Sequence, residues 1–346
     1  MHMADSLLSP AVAMAMCAAS AAAVAFSVAK VKKDDLCEKK IPVIGVMGAF
    51  VFAAQMINFT IPGTGSSGHI GGGILLAAML GGFPALLSLS AVLVIQCLFF
   101  ADGGLLALGC NIFNLGVIPC LIAYPLVYKP LVKNGLTSGR ISAASVAAVV
   151  AALQLGAFAV VLQTTLSGIT ELPFATFLAL MQPIHLAIGI IEGIVTAGVL
   201  CFVHTMRPEI MESSFSGTAI QSTVPLRKIL ALLAVVTLIT GGGLSLFVSS
   251  HPDGLEWSIK KTTGTAELEI TDPIIESASS IQEKVAVMPG YGFRDASANA
   301  GEEGAGTGTS LAGIAGGAIT FILAGISVLI ISLAKKRQKD RPAVAA

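Results

Sequence analysis

Charge is what this sequence has least of. Only 12% of its 346 residues are Asp, Glu, Lys or Arg, 20 of each sign, and the formal net charge is zero. A soluble chain is about a quarter charged. Neutrality also leaves nothing to offset a phosphate backbone, which excludes nucleic acid as a partner. The six cysteines (17, 37, 97, 110, 120 and 201) form no Cys-x-x-Cys pair and no Cys/His ligand spacing. Neither a disulfide framework nor a zinc site is indicated, and most read as buried small hydrophobes. No glycine-rich loop ends in Gly-Lys-Ser/Thr, so no P-loop is present and no nucleotide is expected on this chain. A cationic stretch before the first apolar run is missing as well. Asp5 stands where a signal peptide would carry Lys or Arg, so residues 11–29 read as an uncleaved membrane span.

What fills the chain is apolar. It is 55% hydrophobic, with a mean hydropathy of +0.86, the composition of a polytopic membrane protein. Apolar runs cover 11–29, 41–59, 70–82, 84–101, 104–128, 141–166, 177–205, 227–249 and 310–334. Most are long enough to cross a hydrocarbon core about 30 Å thick. The exception, 70–82, lies between Gly71-Gly72-Gly73 and Gly81-Gly82-Phe83-Pro84, and short helices at membrane depth are tolerated where they line a cavity. The expected fold is an all-α transmembrane bundle of seven helices plus two. Starting from an outer N-terminus, alternation puts sixteen Lys and Arg inside and leaves Lys260, Lys261, Lys284 and Arg294 outside. Cations mark the cytoplasmic side, so the N-terminus is expected outside and the C-terminus in the cytoplasm. Segment 250–309 then lies outside, with 296–309 a flexible tether. Span 11–29 is nearly all small residues, which suits either packing within the chain or docking to a partner subunit.

Chemistry concentrates in Met1-His2. The Met1 amine and the His2 amide nitrogen close one chelate ring on a metal, and that amide with His2 Nδ1 closes a second. Such planar nitrogen sets suit Ni(II) or Cu(II), with Co(II) conceivable, and they leave one corner open. His69 lies on the same expected side, in the loop Pro62-Gly63-Thr64-Gly65-Ser66-Ser67-Gly68, at the head of the short span. That position favours a fourth ligand over a solvated loop imidazole. Gln55, Asn58, Gln96, Asp102, Asn111 and Asn114 fall near the same ends of their spans and are candidates to support the ligands. His185 and Glu192, seven apart, share one helix face. They read as a buried structural pair, or as a second metal station or proton relay. His204 and His251 have no ligand company.

Met1 to Pro10, Pro62–Gly73, Gln96–Asn114 and His185–Thr196 resemble the CbiM/NikM substrate-binding components of energy-coupling-factor nickel and cobalt transporters, a likeness spanning about residues 1–215. His251-Pro-Asp-Gly-Leu-Glu-Trp257 resembles the PDGLE segment of their small companion subunit, CbiN/NikN, so 216–346 is expected to be that subunit in fusion. The resemblance implies a non-enzymatic metal-uptake component whose N-terminal segment plugs into the bundle from outside. Its metal would be held by Met1, His2 and His69, and nickel is not separated from cobalt. The implied partners are a CbiQ/NikQ-like coupling subunit and CbiO/NikO-like cytoplasmic ATPases in the cell membrane. A secondary carrier using the His185–Glu192 pair and a membrane metal sensor remain as alternatives.

Overall fold

The computed structural model describes residues 2–33, 37–216, 226–243, 249, 251–266, 268, 270, 272–293, 308–323, 326 and 330. Met1, residues 296–307 of the expected tether and the cationic tail beyond 330 lie outside the described residues. Within them the fold is an all-α bundle of apolar helices, and five are long enough to span a membrane. In chain order the helices of the first part are α1 (Pro10–Lys33), α2 (Cys37–Gln55), α3 (Gly73–Leu80), α4 (Gly82–Phe100), α5 (Leu108–Val132), α6 (Ser138–Ser167), α7 (Phe174–Met206) and α8 (Pro208–Ser216). After them come α9 (Leu226–Gly242), α10 (Gly254–Thr263), α11 (Pro273–Val285) and α12 (Gly308–Leu323).

The short span is shorter than its apolar run. α3 has eight residues, roughly 12 Å of helix. Gly72 and Gly81 bracket it at φ +75° and +89°, a region that side chains with a Cβ rarely enter. Every residue of α3 is buried, so its broken ends lie inside protein rather than in lipid. α5 departs from α geometry over Phe113–Tyr128, where it winds as a wider π-helix around Pro119 and Pro125, two residues without an N–H to give the ordinary ladder.

α6 and α7 divide their faces cleanly. Leu155, Phe158, Leu162, Leu186, Ile190 and Ile194 are exposed, as an apolar solvent demands. The other face of α7 carries His185, Ile188, Glu192 and Thr196 at helical spacing, all buried. On α1 the small residues are mostly unused within this chain. Only Ala13, Ser20, Ser27 and Val31 are buried, and the tightest meeting is with α5, where Ser20 Oγ donates to Gly109 O at 2.6 Å. Packing within the chain therefore covers one edge of that helix.

Two expectations for the loops change. The glycine-rich stretch after α2 folds into a hairpin of β1 (Phe59–Ile61) and β2 (Ser66–Gly68), in antiparallel register Phe59↔Gly68, Thr60↔Ser67 and Ile61↔Ser66. The described residues of 250–309 include two capped helices. Asp253 and Asp272 cap α10 and α11, and helix, not tether, begins at Gly308.

Candidate metal site

Residues 2–9 pack into the bundle. Met3, Leu7 and Leu8 are fully buried and Asp5 is 3% exposed. Burial of side chains this size stabilises by roughly 1.5–3 kcal/mol each. Polar contacts set the register. Met3 N–H donates to Asn111 Oδ1 at 2.7 Å, and Asn111 Nδ2 returns a bond to Met3 O at 3.2 Å. Gly104 N–H reaches the same carbonyl at 2.9 Å. Asp5 Oδ1 accepts from Ala107 N–H at 2.8 Å, in a space that requires Gly104, since a Cβ there would lie 1.9 Å from that oxygen. Below Met3, Asn114 and Gln163 exchange amide hydrogen bonds at 2.8 and 3.0 Å.

This plug carries His2 against His69. The two imidazoles stack with centroids 5.1 Å apart and planes 16° from parallel. His2 Nδ1 lies 3.4 Å from Asp102 Oδ1, while its Nε2 is buried with no partner among the described residues. Burial lowers the His2 imidazole below its usual range, with Asp102 pulling the other way. Burial lowers His69 much further, and the neighbouring His2 pushes in the same direction. Neutral imidazoles are the form that ligates metals.

The expected supporting residues gather here. Asp102 is gripped on its other oxygen by the Tyr291 hydroxyl. Burial, with Asp102 itself, raises that phenol well above its ordinary range and keeps it a donor. Gln96 Nε2 donates to Gln55 Oε1 at 2.8 Å, and Gln55 in turn donates to Gly71 O at 2.8 Å, fixing the strap that follows His69. Asn58 takes part through its carbonyl, which accepts from Ser249 N–H. His251 likewise gives its carbonyl, not its ring, to Ser67 Oγ at 2.8 Å.

Sequence reasoning missed Asp253. Ser67 N–H donates to Pro252 O at 2.8 Å, and Ser67 pairs with Asp253 in a parallel bridge, so segment 251–253 joins the hairpin. Trp257 Nε1 anchors it on Thr64 O at 3.0 Å. Asp253 and Gly254 then line one cavity together with His69, Asn114, His185 and Glu192. Asp253 caps α10 through Leu255 and Glu256 N–H at 2.8 and 2.9 Å, and Glu256 returns a bond to its N–H. Burial alone would raise its pKa. Nearby positive charge and the Glu256 N–H outweigh burial and hold the carboxylate ionised. The Asp-x-x-Glu capping box was legible at 253–256; its docking against His69 had no local signal.

Among the described residues no group of three His, Cys, Asp or Glu side chains comes together to hold a metal ion.

Residues 2–210 match the CbiM family, described as the cobalt uptake substrate-specific transmembrane region. The chain belongs to the CbiM family. In addition to this CbiM region, residues 227–333 match the PDGLE domain, so the protein fuses a CbiM/NikM-like substrate-binding component to a PDGLE small subunit. It is 34% identical over 228 residues to a putative metal transport protein of Haloquadratum walsbyi, covering 65% of this chain and 100% of that one. A putative fused nickel transport protein of Archaeoglobus fulgidus is 31% identical, over 69% of this chain and 76% of its own length. A solved transition metal transporter superposes with a TM-score of 0.53 at 28% identity, covering 62% of this chain and 98% of that one. CbiM membership makes the chain a multi-pass membrane protein of the nickel/cobalt transport family, a transport component rather than an enzyme.

Proposed function

We propose that this chain captures Ni(II) or Co(II) outside the cell as the substrate-binding component of an ATP-driven energy-coupling-factor transporter. Met1, His2 and His69 supply the ligands: the terminal amine, the His2 amide nitrogen and Nδ1, and the His69 imidazole. The observation that carries this reading is the stacked, buried pair of His2 and His69 at the tip of a plug whose backbone is held by Asn111 and Gly104. Relatives named as nickel transport proteins in Archaeoglobus fulgidus and Rhodobacter capsulatus support the substrate class.

The set suits its cargo. One amide anion with neutral imidazoles leaves the bound complex at about +1, cheaper to hold near a membrane than a bare dication. Binding through His2 Nδ1 exchanges its contact with Asp102. Turning the ring about Cβ–Cγ sets the opposite, Cδ2–Nε2 edge beside that carboxylate, which can then hold the remaining N–H as ligating imidazoles generally require. We take residues 1–215, with seven expected spans, as the metal-binding domain and 216–346 as the companion region with two further spans. Orientation follows the lysines and arginines, with the N-terminus outside and the C-terminus in the cytoplasm. A coupling subunit and cytoplasmic ATPases supply the energy, since this chain has no P-loop.

The test is uptake of Ni(II) and Co(II) into vesicles holding the full chain with its coupling and ATPase subunits. The reading expects ATP-dependent accumulation that is lost in His69→Ala. Uptake driven by an ion gradient without the ATPases would make the chain a secondary carrier. Tight binding without uptake would make it a sensor.

A further inference from the structure

Behind His69 lies a cavity of about 30 Å³, room for a water or two at the ~10–15 Å³ that one requires. His185 and Glu192 both line it, and neither has a part in the capture site. The His185 ring is set for ligation: its Nδ1 lies 2.8 Å from Met181 O. A carbonyl can only accept, so Nδ1 carries the proton and Nε2 keeps its lone pair. Nε2 makes no hydrogen bond among the described residues and faces the turn at Gly254, where a Cβ would come within 3.3 Å of it. Glu192 is 3% exposed. Its Oε1 accepts from Gly72 N–H at 2.9 Å, at the start of α3, while Oε2 is buried with no partner among the described residues. Capping α3 explains one oxygen and leaves the other without a role. An unpartnered buried acceptor is costly unless something occupies the space it faces.

We propose that this cavity is a second, weaker cation station, through which the divalent ion passes after leaving the imidazole pair, with Glu192 Oε2 and His185 Nε2 as its protein donors. It rests on the orientation and capture site proposed above. The two residues are seven apart on α7, about 10 Å along the axis, too far for one ion to sit directly on both. The ion therefore takes one of the two at a time, with Asn114 and Asp253 of the same lining and the water or two that the cavity admits around it, which gives the weak hold that transit requires. Glu192 meets Gly72, three residues beyond His69, so it stands on the inward side of the capture site.

The test uses the full chain in detergent, Co(II) alone as the probe, and one Gly inserted before Met1 to take the terminal amine out of its chelate. The station predicts a residual binding step that Glu192→Gln and His185→Ala each weaken by about tenfold or more, and that Asp102→Asn leaves unmoved. Gln keeps the acceptor for Gly72 N–H, so its effect reports the lost carboxylate rather than a lost cap. A residual step indifferent to both substitutions, or no residual step up to about 1 mM Co(II), overturns the proposal. If the insertion leaves the native step intact, the terminal-amine chelate is what fails, and the station is then decided by whether the two substitutions weaken a second, weaker step beyond one equivalent while sparing the first. Should the inserted chain not purify, the same substitutions are read on the second, weaker step of a native titration beyond one equivalent. Weakening there supports the station, and indifference overturns it.

Discussion

The imidazole pair of His2 and His69 meets the α7 pair of His185 and Glu192 at one cavity, which His69 lines with both, but the two pairs are built in opposite ways. The first is assembled from parts far apart in sequence: the plug of residues 2–9, the strap after β2, the α4–α5 loop and, through Tyr291, the companion region. The second sits on one helix, its spacing set by the α period. A site assembled from separate segments can be taken apart by moving one of them. A site on a single helix stays as it is. That difference suits the roles proposed for them, a pair that grips and then lets go beside a pair that is only passed.

The contrast breaks first at His69. His69→Ala removes one of the two imidazoles and should cost about a hundredfold or more in Ni(II) affinity, measured by titration of the purified chain, with the melting temperature almost unchanged. Gly104→Ala attacks assembly rather than ligands, placing a Cβ 1.9 Å from Asp5 Oδ1. Overpacking of this kind costs about 1–3 kcal/mol, so affinity should fall by roughly tenfold to a hundredfold with every proposed ligand still present. Gly254→Ala sharpens the role of the companion region. Its Cβ would meet Ile188 at 2.9 Å and the His185 ring at 3.1 Å. Ion release, followed by chelator chase, should quicken by about tenfold while association changes little. Tyr291→Phe is the mildest test, removing the hydroxyl that holds Asp102. A loss of about 0.5–1.5 kcal/mol should appear as a severalfold drop in affinity.

The spans were legible because nothing but lipid or protein interior accommodates such runs, and the helices up to α7 follow them within a few residues. α3 was legible as a short element from its bracketing glycines, though two positive φ values trim it further than hydropathy indicates. His2 and His69 could be joined from the sequence because topology placed both at one end of the bundle. The hairpin was not visible, since Ser66-Ser67-Gly68 has no apolar alternation and its pairing depends on the bridge to Asp253. Asp253 beside His69, and Gly254 over His185, are contacts between residues nearly 200 and 70 positions apart, and no local propensity encodes them. The companion segment packs on the bundle instead of building its own core, as its polar composition indicates, and only Gly308 and Thr309 of the expected tether fall in described helix.

The most direct measurement is the Ni(II) and Co(II) affinity of the purified full chain with its native N-terminus, against the same chain with one Gly inserted before Met1. The insertion keeps every side chain and displaces only the terminal amine. Collapse of the tight step is the predicted result. An unchanged affinity would mean that the plug's free end takes no part, and that the ion is held elsewhere.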